Sequence, residues 1–159
     1  MLKTILGTVA GILVALSALT PAAGQSAEPG DIVTTVGELL NDRQVDEALD
    51  YYTDDAVMVI GPCLQAFGPD GCVGKEQIGT ILHAVDEAGA QLTVLQQSES
   101  GSTVTQRREV RSNAISGTGV ERIIEDVTFE VVDGQIVSQI AVPDRNDSQT
   151  AQFLNGRRP

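Results

Sequence analysis

The chain has 159 residues, with 22 acidic and 10 basic side chains and a formal net charge of −12 at pH 7. A net charge of this sign repels nucleic-acid backbones and anionic lipid surfaces, so the composition argues against both classes of partner. The length predicts a single domain that can bury an adequate core.

The first predicted element is a signal peptide over residues 1–24. Lys3 is the only charge before an apolar run from Ile5 to Leu19, and small residues follow up to Gly24. This layout is typical of a secretory signal that is cleaved near Gly24. The alternative is an uncleaved membrane anchor, but the run contains two glycines and is shorter than the ~20 apolar residues that a span needs. We therefore expect a secreted or periplasmic protein that has no membrane attachment after cleavage.

Apolar periodicity predicts three helices and one strand in the first half of the mature chain. The first helix begins at Asp31, whose side chain can cap it. A second helix follows and carries Tyr52 on its inner side. An apolar strand then occupies Ala56–Ile60, and Lys75–Ala88 forms the third helix.

Cys63 and Cys72 are the only two cysteines, and they flank a loop rich in glycine and proline. Export places them in a compartment where disulfides persist, so we predict a structural disulfide that closes this loop. Metal binding would need more ligands than two thiols and the single His83 provide. A redox role is the weaker reading, because the pair lacks the Cys-x-x-Cys spacing.

His83 and the adjacent acids Asp54 and Asp55 are weaker candidates for a functional site. His83 lies well off the apolar stripe of the third helix, so we expect it to be exposed. The two aspartates stand where the second helix is predicted to turn into the strand, a position where acids often cap and turn without doing chemistry.

Strand alternation replaces helical periodicity from Gln91 onward. The predicted strands are Gln91–Ser98, Thr103–Asn113, Glu121–Val132 and Gln135–Pro143. Helices followed by an antiparallel sheet place the chain in the α+β class. Residues 145–159 form a polar tail, apart from a short turn predicted around Ala151–Leu154.

Three landmarks along the chain carry a resemblance to a known superfamily. They are the helix that runs into a strand over Ala48–Val59, the sequence Gly74-Lys75-Glu76-Gln77-Ile78, and the sequence Phe129-Glu130-Val131-Val132-Asp133-Gly134-Gln135-Ile136. In this order they resemble the NTF2-like (SnoaL-like) superfamily. The resemblance implies a domain over residues 28–144, in which three N-terminal helices pack inside a curved antiparallel sheet and leave a conical pocket. One superfold hosts many functions, so the resemblance does not name a reaction.

The inner face of the predicted sheet carries the best candidate for a polar site. Glu125 stands among apolar residues on one phase of its strand, and Arg108 shares a face with Val110. A two-residue turn after the Arg108 strand would set Arg108 opposite Val127 and make Arg108 and Glu125 diagonal neighbours. An ion pair that faces an apolar cavity indicates a polar function, and the alternative is a salt bridge at the rim of the sheet.

The resemblance also allows a comparison with the catalytic positions of ketosteroid-isomerase relatives. Their general base falls at Ile60, and their oxyanion-hole tyrosine falls at Val36. Their protonated aspartate falls at Asp126 or Val127. Two of the three roles are therefore missing, which argues against isomerisation of that kind.

Limonene-epoxide-hydrolase-like enzymes use an arginine held between two aspartates. Arg108 matches the arginine, but the aspartates fall at Val110 and near Ala141. That activity therefore lacks its base.

Three functions remain open. The first is a secreted protein that binds a small, largely apolar molecule, with a pocket lined by Val36, Tyr52, Ile60, Val110, Val127 and Phe129. The second is a SnoaL-like lyase, isomerase or hydrolase that uses Glu125 as general base and Arg108 as its electrostatic partner. The third is a dimeric scaffold with a filled cone. The sequence predicts no metal and no cofactor.

We also predict a homodimer through the outer face of the sheet. In the last strand, Ile136, Ile140 and Val142 lie on one phase, and Val137 and Ala141 lie on the other. Both faces of this strand are then apolar, which is expected when each face is covered.

Overall fold

The computed structural model describes residues 27–156, and the predicted signal peptide lies outside them. The helices are α1 Pro29–Asn41, α2 Val45–Leu49, α3 Gly61–Phe67, α4 Lys75–Glu87, α5 Asn113–Ser116 and α6 Ser148–Gly156. The strands are β1 Tyr52–Val59, β2 Cys72–Val73, β3 Gln91–Ser100, β4 Thr103–Arg111, β5 Ile123–Val132 and β6 Gln135–Pro143. The predicted α+β class is confirmed. Within the described residues, no helix has the length and apolar character needed to cross a membrane.

The strands form one mixed sheet in the order β2-β1-β6-β5-β4-β3. The prediction of a wholly antiparallel sheet is wrong at one pair, because β1 and β6 run parallel. A parallel pair needs a long crossover, and the helices and hairpins between β1 and β6 supply it. The main core lies between the inner face of this sheet and the helices α1, α2 and α4.

Helix α1 begins at Pro29, two residues before the predicted start, with Glu28 as its N-cap residue. Proline is well suited to the first turn of a helix because its missing N–H would have no partner there. The buried face of α1 packs Ile32, Val33 and Val36 into the core.

Both ends of α1 are bonded to strand β3. At the N-terminal end, the backbone N–H of Gly30 donates to Glu99 Oε2 at 2.8 Å. At the C-terminal end, the Asn41 amide bonds both the N–H and the carbonyl of Leu92, each at 2.8 Å. These bonds fix α1 along the edge strand of the sheet.

Tyr52 begins strand β1, although the periodicity predicted it at the end of the second helix. Helix α2 ends at Leu49, and Tyr52 pairs with Ile136 of β6. The carbonyl of Tyr51 accepts a 2.7 Å bond from the N–H of Ile136. Pairing with a distant strand therefore replaces the last helical turn, and Asp54 and Asp55 lie within β1.

The register between β4 and β5 differs by two residues from the prediction. Arg108 pairs directly with Glu125, and Val110 pairs with Ile123. The predicted two-residue turn is wrong, because α5 and the residues around it occupy the connection. A shift of two residues keeps each side chain on its predicted face, since side chains alternate with a period of two.

Cys63 and Cys72 form the predicted disulfide, with 5.1 Å between their Cα atoms. Both residues are fully buried, one in α3 and one in β2. The loop that the bond closes contains the short helix α3, which the sequence pattern did not indicate. A disulfide of this kind fits an exported protein.

The segment after residue 144 contains a helix in place of the short predicted turn. Thr150 of α6 is fully buried, and its hydroxyl oxygen accepts a 2.8 Å bond from the N–H of Ile124. Phe153 of α6 belongs to a second apolar cluster, which also contains Ile115, Val120 and Ile123. Helix α6 is therefore part of the packed structure.

Two arginines on the outer face of the sheet form ion pairs with aspartates, two of which lie in the segment that leads into α6. Arg107 pairs with Asp126 and Asp144, and Arg122 pairs with Asp147 at 3.1 Å. The hydrogen bond from Arg107 holds the pKa of Asp144 below its ordinary value. The pKa of Asp147 is lowered chiefly by the backbone N–H of Thr150, with further contributions from the Thr150 hydroxyl and Arg122.

The lowered pKa of Asp147 predicts a loss of stability in acid. A carboxylate with a depressed pKa in the folded state stabilises the fold above its unfolded pKa of about 3.9, and this contribution is lost as the pH falls through the folded value. Asp147→Asn keeps a capping side chain but removes the charge. We expect this variant to be less stable than wild type at pH 6.5 and equally stable at low pH, as measured by urea unfolding.

Asp55→Asn, at an exposed position of β1, is the matched control and should follow the wild-type pH profile. A constant stability difference between Asp147→Asn and wild type from pH 6.5 down to pH 2 would contradict a stabilising role for the charge of Asp147.

Candidate functional site

A cavity of about 340 Å³ lies between α1 and the inner face of strands β3 to β6. Most of its wall is apolar, from Val33, Val36, Leu40, Tyr52, Leu92, Val94 and Phe129. The polar part of the wall comes from Thr34, Glu38, Asn41, Thr93, Gln106, Arg108 and Gln139. This arrangement leaves an apolar volume with polar groups at defined places on its wall.

Three of the six predicted pocket residues line this cavity, namely Val36, Tyr52 and Phe129. The other three lie elsewhere. Ile60 caps α3 beyond the end of β1, and Val127 is buried in the main core. Val110 packs against the second cluster, because it pairs with Ile123 beyond the Arg108–Glu125 pair.

Arg108 and Glu125 form the predicted ion pair on the inner face. Nε and Nη2 of Arg108 both lie 2.7 Å from Glu125 Oε1. Only 8% of the Arg108 side chain and 11% of the Glu125 side chain are exposed. Burial of two charges is costly, and this close two-donor geometry offsets part of that cost. The sequence left open an exposed salt bridge at the rim of the sheet. The structure does not have this arrangement, because both side chains are buried.

Glu125 is not part of the cavity wall, whereas Arg108 is. Arg108 is therefore the member of the ion pair that a ligand in the cavity would contact. A general base must lie within hydrogen-bond reach of the proton that it removes, directly or through one water. In this structure the group on the wall is the cation, and the carboxylate serves as its partner.

Tyr52 and Gln139 form the second polar pair of the site. Tyr52 is 1% exposed, and its hydroxyl donates a 2.6 Å bond to Gln139 Oε1. Burial raises the pKa of the Tyr52 phenol well above its ordinary value, although the nearby Arg108 lowers it in part. The phenol is therefore neutral at physiological pH and acts as a hydrogen-bond donor.

Gln106 links the cavity wall to helix α1. Its amide nitrogen donates to Gln97 Oε1 at 2.7 Å. Gln97 Nε2 in turn donates to the carbonyl of Gly30 at 3.3 Å. The polar wall and the N-terminal part of α1 are thus held by one chain of bonds.

Sequence reasoning missed Gln139 as a site residue. The sequence does contain a signal, because Gln139 is a polar residue on the same phase of its strand as Val137 and Ala141. Its pairing with Met58 of β1, which is fully buried, places it on the inner face.

The weaker candidates lie outside the cavity wall. His83 is exposed, as expected, and its Nε2 lies 3.1 Å from Asp46 Oδ1. Asp54 faces solvent and lies 3.7 Å from Lys75 Nζ. Within residues 27–156, no three His, Cys, Asp or Glu side chains form a group that could hold a metal ion.

No family model matches the chain, and no curated protein matches it in sequence. Solved structures do match. An NTF2-like protein of unknown function from Cytophaga hutchinsonii is 16% identical, with a TM-score of 0.60 over 78% of this chain and 96% of its own. An LEH-like epoxide hydrolase from M. tuberculosis is 18% identical, with a TM-score of 0.61 over 82% of this chain and 92% of its own.

An epoxide hydrolase/cyclase-like enzyme of pyran ring formation in the polyether salinomycin is also similar. It is 17% identical, with a TM-score of 0.63 over 75% of this chain and 92% of its own. At these identities the likeness concerns the fold. The chain has the NTF2-like fold, as its sequence landmarks predicted.

The buried ion pair predicts a large effect of Glu125→Gln on stability. The variant leaves the Arg108 charge buried without its counterion, so we expect the free energy of unfolding to fall by about 3 kcal/mol while the protein still folds. The Arg108→Met/Glu125→Gln double variant should lose less than the sum of the two single losses, because the side chains act as one unit. Urea unfolding measures all three values.

Asp126→Asn is the matched control, since this neighbouring carboxylate pairs with Arg107 on the exposed face. Its cost should stay below about 1 kcal/mol. Equal losses for Glu125→Gln and Asp126→Asn would contradict a special role for the buried pair.

Proposed function

We propose that this protein is an exported binding protein that holds a small, largely apolar molecule in the cavity between α1 and the sheet. The observation that carries the proposal is the cavity itself, with about 340 Å³ of open volume and a mainly apolar wall. Small-molecule sites are typically concave and apolar, with a few polar groups that orient the ligand. Arg108, Gln139 and Tyr52 are the polar groups that would do so here.

Two observations favour binding over catalysis by Glu125. The Glu125 carboxylate is bonded to Arg108, and Arg108 lines the cavity whereas Glu125 does not. The Tyr52 phenol is buried and its pKa is raised, so it is not a base. The open volume also argues against a scaffold with a filled cone.

Export is the part of the proposal that rests on the N-terminal sequence. The apolar run after Lys3 and the small residues up to Gly24 predict a cleavable signal. The buried disulfide supports export, because such bonds persist in oxidising compartments.

The binding proposal is tested by filling the cavity. Val36→Phe adds volume to a wall residue that is 2% exposed, and Val132→Phe adds the same volume at a residue that is 46% exposed. Native mass spectrometry of protein purified from its own host should show a small-molecule adduct on wild type and Val132→Phe. The adduct should be absent from Val36→Phe.

Binding of 2-ethylnaphthalene, followed by ligand-observed NMR, should show the same pattern. An adduct that Val36→Phe retains would place the ligand elsewhere. Wild-type protein that carries no adduct and binds no apolar probe would refute the proposed function.

We also propose that the protein is a homodimer through the outer face of the sheet. Strand pairing places Val57 opposite Val73, and Val59 opposite Ile140, on the face away from Gln139. We call these four residues and Val142 the outer patch. Val73 is 50% exposed, Ile140 44% and Val142 60%. An exposed apolar patch of this kind is typical of an interaction surface.

The structure changes one part of the sequence argument for this dimer. Ile136 does not share the outer face with Ile140, because a bulge between Glu130 and Val131 shifts the register at Val137. Ile136 is fully buried and pairs with Tyr52 on the inner side.

A charge in the outer patch should separate the subunits. We expect light scattering to give twice the mature chain mass for wild type at micromolar concentration. Ile140→Glu should give the monomer mass, because a charge in an apolar interface is strongly unfavourable. Leu95→Glu, at a 53% exposed residue on the opposite edge strand, is the control and should remain dimeric. A monomer mass for wild type would refute the dimer.

A further inference from the structure

The amide nitrogen of Gln139 has no acceptor in the described chain, although the residue as a whole is buried. Gln139 is 4% exposed, and its Oε1 accepts the hydroxyl proton of Tyr52. That bond fixes the orientation of the amide and turns Nε2 away from Tyr52. Among residues 27–156, Thr53 Oγ1 is the side-chain polar atom that is both fully buried and unpaired. The Gln139 nitrogen therefore has access to open volume, and Gln139 lines the cavity.

Arg108 brings a second set of donors to the same wall. A guanidinium carries five N–H groups, and Glu125 engages Nε and Nη2. Nη1 has no acceptor within the part of the chain that the structure describes. Because Arg108 and Gln139 both line the cavity, their free N–H groups are available to a ligand there.

The charge around these donors disfavours an anionic ligand. Glu125 already neutralises Arg108, and the carboxylate-bearing Glu38 also lies on the cavity wall. The chain as a whole carries a net charge of −12. A carboxylate would lose its hydration on entry and meet no uncompensated positive charge. A neutral acceptor oxygen satisfies the same donors without that cost.

We propose that the ligand is a neutral, apolar molecule whose carbonyl oxygen accepts hydrogen bonds from Gln139 Nε2 and Arg108 Nη1. This assignment rests on the proposed binding function and names its ligand class. Gln139 is then the residue that determines specificity, since it provides a donor while its own oxygen is held by Tyr52. A ligand that lacks the acceptor leaves buried donors unpaired, which lowers its affinity.

Three probes with one ring system test this assignment. They are 2-acetylnaphthalene, 2-ethylnaphthalene and 2-naphthoate, titrated at pH 7.5 and followed by ligand-observed NMR. The ketone should bind about tenfold more tightly than the hydrocarbon, because it pairs the two donors. The carboxylate should bind more weakly than the ketone.

Gln139→Glu tests the contribution of the Gln139 amide N–H group to ketone binding. The variant keeps an oxygen for the Tyr52 hydroxyl but replaces the N–H group, so the tenfold advantage of the ketone should fall to the smaller part that Arg108 Nη1 supplies. Gln152→Glu makes the same chemical change at an exposed residue of α6 and should retain the wild-type preference.

A second variant keeps the assignment testable if Gln139→Glu does not fold. Tyr52→Phe/Gln139→Leu removes both partners of the hydrogen bond together, which avoids leaving either one unpaired. Thermal unfolding checks that each variant is folded, and this double variant should show the same reduced preference for the ketone.

The outcomes separate this assignment from the proposed function. Equal binding of ketone and hydrocarbon to wild type would overturn the assignment and leave the binding function intact. Tightest binding of 2-naphthoate would also overturn it, because Arg108 would then act as an anion site. If none of the three probes binds, the assignment fails, and the proposed function fails with it when wild-type protein also carries no adduct.

Discussion

The buried pair of Arg108 and Glu125 organises the inner face of the sheet. On one side of it lies the main core with Val127 and Phe129, and on the other lies the second cluster around Ile123. Glu125 tolerates burial because Arg108 Nε donates to its Oε1 and Nη2 lies equally close, at 2.7 Å. Arg108 in turn reaches the cavity wall with its charge already compensated. The pair therefore fits the observed strand register and sets the electrostatic character of the site.

Helix α1 forms the opposite wall of the cavity, and its position depends on long-range bonds to β3. Glu99 bonds the Gly30 N–H, and Asn41 bonds the Leu92 backbone, although each pair is far apart in sequence. A Cβ at position 30 would lie 2.5 Å from Glu99 Oε2, so a larger residue there would require the Glu99 carboxylate to move. With both ends held along the edge strand, the helix spans the cavity without filling it.

The disulfide and helix α6 stabilise the sheet away from the cavity. The disulfide joins α3 to β2 at one edge of the sheet, where β2 has only two residues to pair with β1. At the far end of the inner face, α6 covers the second cluster with Phe153, and Thr150 bonds the Ile124 backbone. A disulfide lowers the entropy of the unfolded chain, whereas α6 contributes buried apolar area. The two stabilise different parts of the sheet by different means.

Local sequence pattern determined much of this protein, including α4, most strand limits and the faces on which Arg108 and Glu125 lie. The landmark motifs determined the NTF2-like fold, and the two cysteines determined the disulfide. Tertiary structure alone decided that Arg108 pairs directly with Glu125, that β1 runs parallel to β6, and that Gln139 faces the cavity. The physical reason is that alternation specifies a side chain's face but not its partner. The partner depends on the length of the connections, on bulges and on strands far away in the chain.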